Sequence, residues 1–284
     1  MLTSKIPLAD DTSAYLEAYV LKDSPEFQHG AARPAVIVCP GGAYLGTSDR
    51  EAEPVALRFL ARGCHAFVLR YSVRTPFPRP MLDLALALLT VRQRAGEWAL
   101  DPNRVAVCGF SAGGHLAASL GVMWNKPMLH QALQVTPERI RPDALVLCYP
   151  VIDVDLVNDS ARPNEPFSAF AHLRTQMFSA IFGTPEPSQA LKDQYRADRH
   201  VSSITPPAFL WHTADDELVP AQNSLRFAAA LAEHGVPYEL HVFRSGVHGL
   251  SLADATTDEA GTFLNPQAQI WIDLASRWLG SVLA

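Results

Sequence analysis

The chain has 284 residues, of which 48% are hydrophobic and 18% are charged. This balance is typical of a globular protein with a large core, and it excludes a disordered or fibrous chain. The net charge is -6, and the sequence contains no long basic run and no basic amphipathic helix. We therefore expect neither nucleic acid nor a membrane as a partner.

The opening residues and the cysteines bear on the cellular compartment. Residues 1–16 carry acidic side chains and no apolar signal-peptide core, and no run of about 18 apolar residues follows. Four cysteines lie in or beside apolar runs and form no Cys-x-x-Cys pair: Cys39, Cys64, Cys108 and Cys148. We expect buried free thiols in a cytoplasmic protein, with a zinc site or a disulfide framework as the alternative.

Apolar runs alternate with helical patterns along most of the chain. In chain order, the patterns predict strands at 14–21 and 34–40, a helix at 53–63, a strand at 64–72, a helix at 78–100, a strand at 104–110, a helix at 111–124, strands at 142–150 and 206–213, a helix at 220–235, a strand at 238–243 and a helix at 265–280. The first strand alternates polar and apolar residues, which is typical of an antiparallel edge strand. We therefore predict an α/β fold with a mostly parallel central sheet and helices on both faces.

Residues 151–205 break this alternation. They are rich in Pro, Asp, Asn and Phe, and they show no clean return from helix to strand. A connection of roughly 50 residues is longer than the loops of compact domains. We therefore predict a cap or lid that is inserted into a single domain spanning residues 1–284. A pair of surface helices or a homo-oligomer contact is the alternative.

The pentapeptide GFSAG places one serine between a predicted strand and a predicted helix. A serine at such a sharp turn adopts an unfavourable backbone conformation, and its flanking residues crowd each other unless they lack a Cβ atom. Gly109 and Gly113 meet this requirement on either side of Ser111. A plain strand-to-helix turn is the alternative, but the complete strand–turn–helix context favours a nucleophile.

A serine hydroxyl needs a base to act as a nucleophile near neutral pH. His248 follows the last predicted strand, in a loop that contains Gly246 and Gly249, so we predict that it is this base. His115 lies too far along the rigid helix that follows the serine. His212 precedes the candidate acids in the chain, which is the wrong order for this kind of site.

The base in turn needs a carboxylate that orients it, and this acid lies between the serine and the histidine in chain order. Asp215 and Asp216 both follow the strand predicted at 206–213, where such folds place their chemistry. We favour Asp216, which lies three positions before Val219. Asp215 and Asp153 are kept as alternatives.

An acyl-transfer site also needs N–H groups that bind the oxyanion of the intermediate. Ala112, the residue after the nucleophile, is expected to supply one of them. The segment CPGGAYLG at 39–46 follows an early strand and is the expected source of the others. A plain Gly-Gly turn is the alternative there.

Six segments give the chain a resemblance to the α/β-hydrolase superfamily, and within it to bacterial esterases and lipases that include acetyl esterases and acetylxylan- or feruloyl-type carbohydrate esterases. These segments are PGGAY, SDREAEPVALRFLARG, VLRYS, GFSAGGHLAASLG, HTADDELVP and SGVHGLSLA. The resemblance implies that Ser111 is the nucleophile, His248 the general base and acid, and Asp216 its orienter, with no cofactor or metal.

The resemblance also bears on the oxyanion loop. By position, Gly42 and Ala43 donate to the oxyanion together with Ala112, because alanine keeps its N–H group. Pro40 stands where the branch that resembles hormone-sensitive lipase has a histidine. The chain is therefore more similar to the group with Pro-Gly-Gly in this place.

The sequence predicts a serine carboxylic-ester hydrolase for small or short-acyl esters, including acetylated or aryl-acylated sugars. Tyr44 and Leu45 flank the oxyanion loop, and we expect them to contact the substrate. Apolar residues of the insertion line an acyl or aryl pocket or form the core of the cap: Phe167, Phe170, Met177, Phe178 and Phe182. A serine exopeptidase of the prolyl-oligopeptidase type and a non-catalytic small-molecule-binding homologue are the alternatives.

Overall fold

A computed structural model describes residues 1–24, 26, 32–158 and 172–284. The strands in these residues are β1 (Leu2–Pro7), β2 (Tyr15–Val20), β3 (Arg33–Cys39), β4 (His65–Arg70), β5 (Leu100–Phe110), β6 (Ala144–Cys148), β7 (Ala208–Thr213) and β8 (Tyr238–Phe243). They form one sheet in the order β1-β2-β4-β3-β5-β6-β7-β8. The pairs β1–β2 and β2–β4 are antiparallel, and all the other pairs are parallel. The mostly parallel sheet predicted from the sequence is confirmed.

The helices in the described residues connect these strands. They are α1 (Glu53–Leu60), α2 (Arg79–Gln93), α3 (Ala95–Trp98), α4 (Ser111–Met123), α5 (Pro127–His130), α6 (Leu173–Phe182), α7 (Gln189–Gln194), α8 (Gln222–Glu233) and α9 (Trp271–Val282). Short 3-10 helices cover Asp49–Glu51, Pro137–Ile140, Val154–Leu156 and Ala197–His200. None of the described helices combines the length and the apolar character that a membrane span requires.

The prediction of an edge strand at 14–21 is wrong in one respect. This segment forms β2, which is antiparallel as expected, but β1 pairs with its outer side and is the edge strand on that side of the sheet. The sequence pattern gave no sign of β1 because nearly all of its side chains are exposed, so no apolar run marks it. The single helix predicted at 78–100 is also divided, since α2 ends at Gln93 and α3 follows it.

The core has two layers because successive side chains of a strand point to opposite faces of the sheet. In β3, Val36 and Val38 pack with α1 and α9, whereas Ala35 and Ile37 pack on the other face with α2, α4 and α8. All four of these β3 side chains are fully buried. The predicted cover of helices on both faces is therefore confirmed, and the sheet lies between the two core layers.

The insertion predicted at 151–205 is described in part, at 151–158 and 172–205. Phe167 and Phe170 lie outside the described residues. In α6, Met177 and Phe178 are buried in the layer that contains α4 and α8, and Phe182 packs against it. These contacts favour the packing role that the sequence allowed for these side chains. The interpretation of the segment as a cap stays a prediction.

All four cysteines are free, as the sequence predicted. Cys39, Cys108 and Cys148 are buried, and Cys64 is partly buried. Burial raises the pKa of the Cys64 thiol to about 11, so it stays protonated near neutral pH. Within the described ranges, His, Cys, Asp and Glu form no group of three or more that could hold a metal ion.

Candidate active site

The nucleophile position lies where β5 ends and α4 begins. Ser111 is the first residue of α4 and has a φ of 51°, in the left-handed region that a side chain rarely adopts. A Cβ atom on Gly109 would lie 2.2 Å from the carbonyl oxygen of Gly113. One on Gly113 would lie 2.0 Å from the carbonyl oxygen of Cys39. Both glycines are therefore required by the strained turn that exposes the serine hydroxyl.

The candidate base lies in the loop after β8. Nε2 of His248 is 2.8 Å from Oγ of Ser111, and its Nδ1 is 2.7 Å from Oδ2 of Asp216. A carboxylate only accepts hydrogen bonds, so Nδ1 carries the hydrogen and Nε2 accepts one from the serine hydroxyl. The structure thus brings together the three residues that the sequence singled out, in a hydrogen-bonded line.

The carboxylate of Asp216 is held by the loop after β7. Its Oδ1 accepts hydrogen bonds from the backbone N–H groups of Leu218, at 3.0 Å, and Val219, at 2.9 Å. Burial by itself would raise the pKa of this carboxyl. The charges and hydrogen bonds of His248 and His212 outweigh burial and hold that pKa well below its usual range. Asp216 is therefore ionised and can stabilise a positive imidazole.

The two alternative acids have other partners. Oδ1 of Asp215 accepts a hydrogen bond from the backbone N–H of Gly246 at 2.7 Å. Oδ2 of Asp153 lies 2.6 Å from a guanidinium nitrogen of Arg226 and 3.1 Å from one of Arg196. The geometry therefore favours Asp216 as the acid, and it gives Asp215 the separate task of holding the loop that carries the histidine.

The electrostatic surroundings of His248 suit a general base. Burial lowers the pKa of its imidazole, but the charge and hydrogen bond of Asp216 raise it, and the charge of Glu51 adds to this. The net effect is a pKa above the ordinary value of 6.5. The imidazole can therefore hold a proton more firmly once the serine has released it.

The candidate oxyanion loop has an irregular backbone with left-handed residues. Gly42, Ala43 and Tyr44 have φ values of 133°, 54° and 60°. The carbonyl oxygen of Gly42 accepts hydrogen bonds from the N–H groups of residues 45 and 46, which closes the loop. The N–H groups of Gly42, Ala43 and Ala112 donate to no other described residue, which leaves them available to a ligand.

Tyr44 and Leu45 differ in their exposure. The Tyr44 side chain is only 1% exposed, and its hydroxyl donates to Nδ1 of His115 at 2.8 Å. Nε2 of His115 donates to the carbonyl oxygen of Tyr195 at 2.9 Å. Burial lowers the pKa of His115 to about 4, so this imidazole is neutral. Tyr44 thus anchors the loop in the core, which differs from the expected substrate contact, whereas Leu45 is only partly buried.

The structure adds two residues that the sequence reasoning missed as parts of the site. Nε2 of His212 donates to the carbonyl oxygen of Val219 at 2.7 Å and lies 3.4 Å from Oδ2 of Asp216, so it supports the acid loop. Glu51 is 4% exposed and accepts a hydrogen bond from the backbone N–H of Gly41 at 2.7 Å. The only sequence signal for Glu51 was an acid within the segment SDREAEP, which looks like a charged surface turn.

Curated proteins similar to this chain include an acetylxylan esterase and an endo-1,4-beta-xylanase. The acetylxylan esterase of Xylanibacter ruminicola is 30% identical over 283 residues, which cover 98% of this chain and 50% of that protein. Endo-1,4-beta-xylanase B of Butyrivibrio fibrisolvens is 31% identical over 233 residues, which cover 78% of this chain and 33% of that protein. The chain therefore spans a third to a half of the length of these relatives.

Solved structures of similar length share the whole fold. The acetyl ester-xyloside bifunctional hydrolase of Caldicellulosiruptor lactoaceticus is 37% identical with a TM-score of 0.77, and the match covers 98% of this chain and 96% of that one. The carboxylesterase Cest-2923 of Lactobacillus plantarum WCFS1 is 32% identical with a TM-score of 0.83, and the match covers 100% and 99% of the two chains. A family model described as BD-FAE matches residues 24–231, so the chain belongs to the BD-FAE family and has the α/β-hydrolase fold.

Proposed function

We propose that this protein is a serine carboxylic-ester hydrolase that works through an acyl-enzyme. The observation that carries the proposal is the hydrogen-bonded line from Oγ of Ser111 through the His248 imidazole to Asp216, with contacts of 2.8 Å and 2.7 Å. The esterase and carboxylesterase names of the similar proteins support the same reaction class.

Acylation begins with the serine hydroxyl. As Oγ of Ser111 attacks the ester carbonyl carbon, its proton passes to Nε2 of His248. Asp216 stabilises the resulting imidazolium and keeps the ring in the productive tautomer. When the tetrahedral intermediate collapses, the carbon–oxygen bond to the alcohol breaks, and the leaving alcohol takes the proton from His248.

The negative charge of the tetrahedral intermediate needs hydrogen-bond donors. We propose that the free N–H groups of Gly42, Ala43 and Ala112 bind this oxyanion. Backbone donors in a rigid loop are already oriented, so they stabilise the charge without reorganisation when it forms. Gly41 places this loop against the nucleophile, because a Cβ atom on it would lie 2.9 Å from Cβ of Ser111.

Deacylation uses the same groups in reverse. A water molecule gives a proton to His248 and attacks the acyl carbon. The second tetrahedral intermediate then releases the carboxylic acid, and Oγ of Ser111 recovers its proton from the imidazole. The chain's own residues carry every proton transfer in this cycle.

A fluorophosphonate probe tests the proposed nucleophile. Wild type is expected to gain the mass of one probe adduct, and Ser111→Ala is expected to gain none while keeping its circular dichroism spectrum. Ser119→Ala is the matched control, because Ser119 lies on the same helix and is fully buried. An unlabelled wild type, or labelling that survives in Ser111→Ala, would contradict the proposal and favour a non-catalytic binding protein.

We propose that the substrates are small or short-acyl esters, with acetylated or aryl-acylated sugars as the natural class. The named activities of the acetylxylan esterase and the acetyl ester-xyloside hydrolase support this choice. Turnover of acetyl, butyryl and octanoyl p-nitrophenyl esters tests the acyl length, and acetylated xylo-oligosaccharides and feruloyl esters test the sugar class. A higher kcat/KM for octanoyl than for acetyl esters would contradict the short-acyl proposal.

Leu45 is the residue beside the oxyanion loop that we propose for the acyl contact. It is partly buried, whereas Tyr44 is enclosed in the core. Leu45→Ala removes apolar surface next to the reacting carbonyl, so we expect the ratio of octanoyl to acetyl turnover to rise. An unchanged ratio would show that Leu45 does not border the acyl group.

We infer that residues 151–205 form a cap inserted into a single domain. The packing of α6 on the layer of α4 and α8, and the pairing of Asp153 with Arg226 and Arg196, support this organisation. Limited proteolysis is expected to cut first within 151–205, and cuts spread evenly along the chain would contradict it. A homo-oligomer contact is the alternative, which a mass above 31.0 kDa in light scattering would favour.

We propose a cytoplasmic location for the protein. The four free cysteines, three of them buried, support a reducing compartment because an oxidising one favours disulfides. Fractionation of the source cells is expected to place the protein in the cytoplasmic fraction. Recovery in the periplasmic or extracellular fraction would contradict the proposal.

A further inference from the structure

We propose that Glu51 is a positioning residue of this active site, whose carboxylate ties the oxyanion loop and the loop of His248 to one buried group. The inference rests on the proposed function, since it concerns the alignment of the same serine and histidine. It assigns a task to a buried acid that the hydrolytic cycle itself does not use.

The placement of Glu51 is unusual for an acid. It ends the 3-10 turn Asp49–Glu51, directly after the oxyanion loop, and it is 4% exposed. Among the residues that the structure describes, no lysine or arginine pairs with its carboxylate, and the neighbouring Arg50 donates to the carbonyl oxygens of Thr257 and Gly249 instead. A buried carboxylate without a cationic partner is costly, so its hydrogen bonds must hold it in place.

The first branch of the network leads to the oxyanion loop. Oε2 of Glu51 accepts the backbone N–H of Gly41 at 2.7 Å, and the Gly41 carbonyl oxygen accepts the N–H of Ser48 at 2.9 Å. Gly41 also abuts the nucleophile, since a Cβ atom on it would lie 2.9 Å from Cβ of Ser111. The carboxylate therefore fixes the peptide that immediately precedes the proposed oxyanion donors.

The second branch leads to the histidine. Oε1 of Glu51 accepts the hydroxyl of Tyr149 at 2.6 Å, and this hydroxyl accepts the backbone N–H of Ser251 at 2.9 Å. Burial and the charge of Glu51 raise the pKa of Tyr149 well above its ordinary value, so the phenol keeps its proton and can donate it. The Tyr149 ring also lies edge-on to the His248 imidazole, with centroids 5.1 Å apart.

The charge of Glu51 gives the proposal a second readout. Burial lowers the pKa of His248, Asp216 raises it by charge and hydrogen bond, and the charge of Glu51 raises it further. Ser111 and Asp216 are hydrogen-bonded to the imidazole, the Tyr149 ring lies edge-on to it, and the Glu51 carboxylate acts on it through its charge. Removing the Glu51 charge should therefore lower the pKa of His248, an effect that a purely structural residue would not have.

Glu51→Gln is the primary test, because it keeps the shape, removes the charge and leaves only one accepting atom for the two donors. We expect kcat/KM for p-nitrophenyl acetate to fall about 10- to 100-fold, mainly through kcat, because a loop shifted by a fraction of an ångström misaligns the oxyanion donors. The acid limb of the pH profile of kcat/KM should move to lower pH.

Asp143→Asn is the matched control. Asp143 precedes β6 at its amino end, away from the site, and its carboxylate likewise accepts a backbone N–H, that of Val105 at 2.8 Å. This control should lower Tm without altering kcat, KM or the pH profile. A Glu51→Gln enzyme that loses only Tm, with wild-type kcat and pH profile, would overturn the proposal.

Tyr149→Phe decides the question if Glu51→Gln does not fold. It breaks the histidine branch but leaves the Glu51 charge, so kcat should fall while the acid limb stays in place. Wild-type kcat in this variant would overturn the proposal. Fluorophosphonate labelling of wild type keeps the two hypotheses apart: no labelling refutes the proposed function, whereas labelled wild type with unaffected variants refutes the role of Glu51 alone.

Discussion

Asp216 bonds to His248 across 2.7 Å, whereas the adjacent Asp215 turns to the backbone N–H of Gly246, also at 2.7 Å. The two carboxylates therefore hold the same loop in two ways. One orients the imidazole of the base, and the other fixes the backbone two residues before it. Neighbouring acids of equal chemistry thus have separate tasks because the chain turns between them.

Asparagine substitutions at these two positions should have unequal effects. Asp216→Asn keeps the shape but removes the charge that stabilises the imidazolium and sets its tautomer, so kcat should fall by about 10⁴-fold. Asp215→Asn still offers an accepting oxygen to Gly246, so its kcat should fall by less than about tenfold. Steady-state kinetics on p-nitrophenyl acetate measure both. Equal losses would mean that Asp215 shares the role of the acid.

The pH profile of wild type should report the raised pKa of His248. The base must be neutral to accept the serine proton, so kcat/KM rises with pH as the imidazole loses its proton. Since burial is outweighed by Asp216 and Glu51, the midpoint of this rise should lie above 6.5. In Asp216→Asn the main cause of the raised pKa is gone, so the residual activity should have its midpoint at lower pH. A wild-type midpoint below 6.5 would contradict this electrostatic picture.

Alanine substitutions of two helical glycines should have opposite effects on the free energy of unfolding. Gly113→Ala forces a Cβ atom to within 2.0 Å of the Cys39 carbonyl oxygen, so we expect a loss of about 2–4 kcal/mol in the free energy of unfolding and loss of activity. Gly280→Ala in α9 meets no atom within 4 Å and should stabilise by about 0.5–1 kcal/mol. Urea unfolding with kinetics measures both, and a neutral Gly113→Ala would refute the steric requirement.

Removing the Tyr44 hydroxyl should test how the oxyanion loop is anchored. Tyr44→Phe leaves Nδ1 of the buried His115 without its donor at 2.8 Å, which should cost about 1–3 kcal/mol in the free energy of unfolding. Tyr238→Phe, at a residue 42% exposed on β8, is the control and should change stability little. Equal stability of the two variants would show that the buried hydrogen bond does not anchor the loop.

Much of the architecture could be predicted because it rests on short-range patterns. The six strands predicted from 34–40 to 238–243 correspond to β3 to β8. Five of them have solid apolar runs because they are buried on both faces, whereas β8 lies at the edge of the sheet and is partly exposed. β1 was not predicted because its side chains are almost all exposed and its segment LTSKIP shows no clear strand pattern. The division of 78–100 into two helices likewise has no Pro or Gly signal at Gln93.

Only part of the candidate site could likewise be predicted from the sequence. Gly109 and Gly113 could be identified from the sequence because the steric demand of the turn acts over four residues. Glu51 and Tyr149 could not be identified, since they are 98 positions apart and only the side-by-side pairing of parallel strands in the sheet brings them together. The burial of Tyr44 was equally invisible, because it depends on His115 from a different element.

The sequence by itself determined the alternation of strands and helices in the sheet, the strained serine turn, and the serine and histidine of the hydrogen-bonded line. Periodicity and local sterics carry that information, and both are properties of neighbouring residues. Only the tertiary structure decided which of two adjacent aspartates meets the histidine and that a buried glutamate joins the two loops. Those choices depend on hydrogen bonds between distant segments, whose distances are set when the two core layers pack against the sheet.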